Sequence, residues 1–256
     1  MTFRKFIPCR KCRKTDANPE GYFLREVNGQ QLLVECDHHR EWRKEKDLKL
    51  KYIKARFSEE NFDYKLSSYC GKKSAKNIDR LKKYIACFDD AKTLQQVERS
   101  VLYFYGPNGT QKTTVASSVG RLLLSRGLNV RFTLMKQLVD MLWDSQRDDE
   151  AKAKVRELAE SDVIVIDEAF SRDKIHVWQS GTQIGYVDEF IREHLSLGKG
   201  IIFISNSKPD EIEAQGFSHS IQDLVMRELK KDDGLMLFED NYFDSVSLEQ
   251  MPDKLF

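Results

Sequence analysis

Long hydrophobic runs are missing from this chain of 256 residues. No apolar stretch reaches eighteen residues, and no hydrophobic segment follows the charged start MTFRKFIPCRK, which argues against a membrane-spanning helix and an export signal. We therefore expect a cytoplasmic protein with no membrane partner. Cysteine is scarce, at five, and in a reducing compartment so few thiols do not make a disulfide scaffold. No internal repeat or long low-complexity tract is present. Wholesale disorder is excluded as well, because 40% apolar residues suffice for a packed core. The length allows one ordinary domain and a small accessory module.

The net charge of +1 conceals a split. Residues 1–100 carry 24 Lys and Arg against 15 Asp and Glu, whereas residues 101–256 carry 18 against 26. The basic part suits an acidic partner, either nucleic acid or a protein face, although a solvated basic helix explains much of it.

Three of the five cysteines form a pattern. Cys9-x-x-Cys12 is followed after twenty-three residues by Cys36-x-x-His39, two ligand pairs at the ends of a hairpin whose turn is Asn28-Gly29 between YFLREV and QQLLVE. Zinc takes four N or S donors in a tetrahedron, and two-residue spacers supply them in pairs. His38 differs from His39 only in ring direction, and the spacer favours His39. Four protein ligands leave no open position for catalysis, so the zinc is structural. Too few apolar residues surround it for an independent core, and the metal supplies most of the folding energy. Cys70 and Cys87 stand outside the pattern as small apolar residues.

From these features we expect a zinc-binding domain over 1–45, a basic helical linker over 46–74 with a flexible junction near 67–74, and a larger domain over 75–256. In the last, continuous apolar strands VLYFY, VRFTL, VIVID, IIFIS and LMLFE alternate with helices at about 112–126, 135–143, 150–160, 184–197 and 219–230. That alternation predicts an α/β fold whose parallel sheet is covered by helices on both faces.

Directly after the first of these strands stands Gly106-Pro107-Asn108-Gly109-Thr110-Gln111-Lys112-Thr113-Thr114, followed by a helix. This is a phosphate loop: backbone N–H groups and the helix N-terminus cradle phosphates, Lys112 reaches the β- and γ-phosphates, and Thr113 holds Mg²⁺. Gln111 departs from the pattern by replacing its second glycine, which crowds or strains the loop and puts turnover in question. About fifty residues on, VIVIDEAF ends a strand in Asp167, a ligand for Mg²⁺, and Glu168, which polarises the attacking water.

With these residues assembled, the region from about Lys76 to Asp244 resembles the DnaC/DnaI-type replicative-helicase loaders of bacteria and phages, within the AAA+ ATPases. The resemblance is carried by NIDRLKKYIACFDD, GPNGTQKT, VIVIDEAF, IIFISNSKPDEI, LVMRELKK and LMLFED. It implies a sheet in the order five-one-four-three-two, with ATP or ADP and Mg²⁺ between subunits of a homo-oligomer. It also implies contact with single-stranded DNA and delivery of a hexameric replicative DNA helicase. Asn206 falls where such proteins carry a polar sensor of the γ-phosphate, and Arg227 where an arginine reaches the neighbouring subunit's nucleotide. Some loaders of this type engage the helicase through an N-terminal zinc domain. The same core occurs in transposition helper ATPases, which is the rival implication. Gln111 keeps a nucleotide-gated adaptor with little hydrolysis in view, and the basic zinc hairpin keeps direct DNA binding in view.

Overall fold

A computed structural model of the chain describes residues 4–71, 73–88, 101–171, 181–232 and 234–239. Its contacts divide the chain into two units, Met1–Lys54 and Ala55–Phe256.

In the first unit, strands β1 (Tyr22–Val27) and β2 (Gln30–Glu35) pair antiparallel, with Tyr22 opposite Glu35 and Val27 opposite Gln30. The turn between them has positive φ at both Asn28 and Gly29, the geometry whose twist matches a tight hairpin. Helix α1 (Asp37–Lys54) follows at once. The hairpin has little to bury: Leu24, Val27, Leu32 and Leu33 are exposed, whereas Cys12 and Cys36 are buried. Two backbone bonds tie these cysteines together through Gly21, whose N–H donates to the Cys12 carbonyl and whose own carbonyl accepts from Cys36.

The second unit contains α2 (Ser74–Ala86), β3 (Val101–Tyr105), α3 (Lys112–Ser125), β4 (Val130–Leu134), α4 (Met135–Asp144), α5 (Asp149–Ala159), β5 (Val163–Asp167), α6 (Gly181–Ser196), β6 (Gly200–Ser205), α7 (His219–Asp232) and β7 (Leu235–Leu237). The five strands pair in the order β4-β5-β6-β3-β7, all parallel. Counted within this unit, the sheet runs two-three-four-one-five, the expected order read from its other edge. Because side chains alternate across a strand, Tyr103, Ile164, Ile166 and Phe203 share a core with α4, α6 and α7. Leu102, Phe104, Val165 and Ile204 point the other way and are buried as well, on the face where α3 packs. A strand hidden on both faces must be apolar throughout, which is why the three inner strands β3, β5 and β6 read as unbroken runs.

The segment expected to be a linker is divided by the contacts. Residues 46–54 continue α1, and 55–71 pack on the second unit. Phe57, Phe62 and Tyr69 are buried, the Ala55 carbonyl accepts from the Phe132 N–H, and the Tyr69 ring lies against Phe238. Gly120 of α3 makes room for Phe57, since a Cβ there would come within 2.3 Å of the Phe57 ring. The stretch near 67–74, expected to be a flexible junction, contains a 3₁₀ turn at Leu66–Ser68 and the start of α2. The end of the expected ATP-binding domain, 240–256, lies outside the described residues. Among the described residues no helix is long and apolar enough to cross a membrane.

Candidate functional site

Parallel strands deliver their C-terminal ends to one edge of the sheet, and there the sequence motifs meet. A cleft of about 550 Å³ is lined by the loop 108–114, Asp167, Glu168 and Asn206, within the roughly 300–1,000 Å³ of small-molecule sites. The order of the sheet explains the meeting, because β6 lies between β3 and β5. Where β5 and β6 end, the Ala169 N–H donates to the Ile204 carbonyl and the Ser205 hydroxyl donates to the Ala169 carbonyl. These bonds fix Glu168 and Asn206 to one another's strands.

The phosphate loop is held from two sides. Lys112 is buried, and its ammonium donates to the Gly106 and Pro107 carbonyls at 2.7 and 2.6 Å. Burial draws its pKa down to about 8, with Asp167 opposing. Behind the loop, Gly106 sits against β7: a Cβ there would meet the Phe238 carbonyl oxygen at 1.9 Å. The Phe238 N–H in turn donates to the Tyr105 carbonyl. No larger residue fits between Tyr105 and Pro107 without breaking this edge of the sheet.

The Thr113 hydroxyl donates to Asp167 Oδ2 at 2.8 Å, and the Glu168 N–H donates to Oδ1 at 2.7 Å. Burial raises the Asp167 pKa, against the pull of these two donors. Hard oxygen donors this close suit Mg²⁺, which binds through one or two side chains and keeps several waters. Glu168 has φ +52, so the backbone at the strand end is itself held in a left-handed conformation.

Gln111 has φ +67 and stands as the N-cap of α3. The position of the missing glycine thus demands the left-handed region, and a side chain there costs on the order of 1–2 kcal/mol. The strain expected from the motif is present in the backbone, and the loop nonetheless keeps its conformation. Arg227 lies on α7, away from the residues lining the cleft, with its side chain largely exposed and its Nε 3.4 Å from Glu228. Tyr64, Ser171 and Ser205 also line the cleft and were not singled out from the sequence. Ser205 was readable as the residue closing IIFIS; Tyr64 carried no signal.

In the first unit the Sγ atoms of Cys9, Cys12 and Cys36 all lie within 4.8 Å of one another. Cys9 is 3.6 Å from Cys12 and 3.8 Å from Cys36, and Cys36 Sγ is 3.5 Å from His38 Nδ1. Donors sharing one tetrahedral zinc at about 2.3 Å (sulfur) and 2.0 Å (nitrogen) stand about 3.8 Å (two sulfurs) and about 3.5 Å (sulfur and nitrogen) apart, so these pairwise spacings fit the ion. The thiols fit it chemically as well. Backbone N–H groups of Cys12 and Lys11 hold Cys9 down to about 6, whereas burial and the neighbouring thiols push Cys12 up to about 11. Such crowded thiols ionise together only around a cation.

The two candidate histidines are placed differently, and neither belongs to the three-thiol cluster. His39 Nδ1 is 2.8 Å from Glu35 Oε1, and its ring packs among Phe6, Tyr22 and Trp42. Helix α1 starts at Asp37, so consecutive histidines diverge by a third of a turn, and His38 is the one turned to the cysteines.

The sequence profile of the family described as IstB-like ATP binding protein matches residues 25–173. No match was found among curated proteins. Among solved structures, the chain is similar to DnaI at 16% identity, over 72% of this chain and 94% of that one, with a TM-score of 0.54. It is similar to the DnaC helicase loader at 18% identity, over 71% and 99%, with a TM-score of 0.52. AMPPCP-bound DnaA from Aquifex aeolicus matches at 18% identity over 69% and 49%, with a TM-score of 0.51. The chain spans about half the length of the replication-initiator structures it matches. These likenesses establish the fold.

Proposed function

This chain belongs to the IstB-like ATP binding protein family, and from that premise we propose that it is an ATP-dependent loader that binds a hexameric replicative DNA helicase and delivers it onto single-stranded DNA. The observation that carries the reading is the 2.8 Å contact between Thr113 and Asp167, with Glu168 and Asn206 in the same cleft. Two separate motifs become one nucleotide site there. A cysteine-clustered hairpin ahead of that core supports the loader assignment, as does the fold shared with a structure named a helicase loader.

In this reading Lys112 leaves the Gly106 and Pro107 carbonyls for the β- and γ-phosphate oxygens, while Thr113 and Asp167 hold Mg²⁺. When bound, Mg²⁺ neutralises charge on the phosphates. Glu168 takes the proton of a water whose oxygen attacks the γ-phosphorus in line; the bond to the β–γ bridging oxygen breaks and ADP leaves. Asn206 orients that water. Arg227 of one subunit reaches the nucleotide of the next and stabilises the charge that develops. Cys9, Cys12, Cys36 and His38 hold a structural zinc, and residues 1–45 form the helicase-facing domain.

The test is a pull-down of the full chain with the replicative helicase in ATP, ADP or no nucleotide. A complex in ATP is expected, and its absence in all three conditions sinks the loader reading. Tight duplex binding with transposase stimulation and no helicase contact would instead establish the transposition helper, whose core is the same. Steady-state ATPase measurement with and without DNA decides against the non-hydrolysing adaptor if turnover is robust.

A further inference from the structure

The phosphate loop keeps a side chain where its motif has glycine, and the structure accounts for that side chain's placement. The Tyr64 hydroxyl donates to Gln111 Oε1 at 3.1 Å, and Gln111 Nε2 lies 3.9 Å from Cys70 Sγ. Both partners come from the segment between Phe57 and α2. Tyr64 is itself fixed to the helix that Gln111 caps: its carbonyl accepts from the Ser118 hydroxyl at 2.8 Å and from Arg121 at 3.3 Å. The Arg121 guanidinium also stands over the Phe62 ring. One end of Tyr64 is thus tied to the second and third turns of α3, and the other reaches back to the residue preceding its first turn.

We propose that Tyr64 is a positioning residue of the nucleotide site: with Cys70, it latches the Gln111 carboxamide to the side of the phosphate loop, so that the loop holds its left-handed turn and stays open to phosphate. A free glutamine at this position has two bad alternatives. It relaxes out of the left-handed region and turns the loop amides away, or it swings its carboxamide across the cleft it lines. The latch forbids both by fixing the carboxamide at each end. It also explains why Gln111 meets Tyr64 and Cys70, which stand 47 and 41 residues before it. The inference rests on the nucleotide-site reading above, and it assigns to Tyr64 an effect through Gln111.

The experiment is a double-mutant cycle on the full chain with Tyr64→Phe, Gln111→Gly and the pair, titrated with ADP by calorimetry. Tyr64→Phe is expected to weaken ADP binding about fivefold when Gln111 is present, the value of one neutral hydrogen bond. In the Gln111→Gly background the same change is expected to shift affinity less than twofold. Equal losses in both backgrounds would mean that Tyr64 meets the nucleotide directly, and no loss in either would mean that the bond does not hold the loop; each overturns the proposal. The same four proteins are compared by thermal unfolding without nucleotide, where Tyr64→Phe is expected to lower Tm only with Gln111 present. Additive shifts there overturn the latch even if the chain binds no ADP, an outcome that would separately sink the nucleotide-site reading.

Discussion

In the unit Met1–Lys54, leucines of the hairpin stand in solvent and the buried side chains are Cys12, Cys36 and, near the end of α1, Tyr52; in the unit after it, both faces of β3, β5 and β6 are hidden. The two regions solve opposite versions of one problem. Ordering a residue costs about 1–2 kcal/mol of backbone entropy, and each fully buried Leu, Ile or Phe returns roughly 1.5–3 kcal/mol. A sheet covered twice can meet that cost with apolar area alone. A bare hairpin cannot, and in the reading proposed above it depends on a metal held at its three clustered thiols.

The sharpest break in this comparison comes from removing the metal. Chelation, or Cys12→Ser, is expected to unfold the first unit completely, a loss on the order of 10 kcal/mol of metal-coupled folding. Amide hydrogen exchange should show protection vanish over 22–54 and persist over 101–134. If the hairpin stays protected without zinc, the two regions do not differ in kind.

The reverse experiment strikes the second unit. Phe203 is fully buried against the rings of Tyr103 and Phe170, and Phe203→Ala is expected to cost about 3–5 kcal/mol. Urea unfolding should register that loss while zinc content, measured by a colorimetric chelator, stays at one ion per chain.

A third test uses acid. His194 is buried, its Nε2 3.3 Å from the Gly200 carbonyl, and burial with nearby Lys199 lowers its pKa from 6.5 to about 4. The unfolded chain therefore takes up a proton between those values that the folded chain refuses. Stability from this group is complete above pH 6.5 and falls as pH drops toward 4, by about 3 kcal/mol. His194→Gln should flatten the urea midpoint across this window; parallel pH slopes for variant and parent would refute the assignment.

The smallest effect separates two neighbours within the first unit. His38→Ala is expected to weaken zinc binding more than about 100-fold and His39→Ala less than that, since loss of an outer partner alone costs about 10–100-fold. Competition against a zinc-binding dye measures both. A larger loss for His39 would return it to the metal.

The strands were legible because a position buried on both faces tolerates only apolar residues, and VIVID or IIFIS has no other reading. The strain at Gln111 was legible because the motif marks where glycine's conformational freedom is used. Which histidine faces the cysteines was not, since it depends on helix α1 starting at Asp37, one residue after Cys36. Nor was the packing of 55–71: Phe57, Phe62 and Tyr69 are spaced without helical or strand period among charged residues, and their burial is set by contacts distant in sequence.

The abutment of Gly106 on the Phe238 carbonyl has a mechanical meaning. Because β7 lies beside β3 and ends where the phosphate loop begins, tension applied to the chain beyond Phe238 is transmitted to the backbone that grips the nucleotide. A load on that end of the sequence and a ligand in the cleft would act on opposite ends of one short lever.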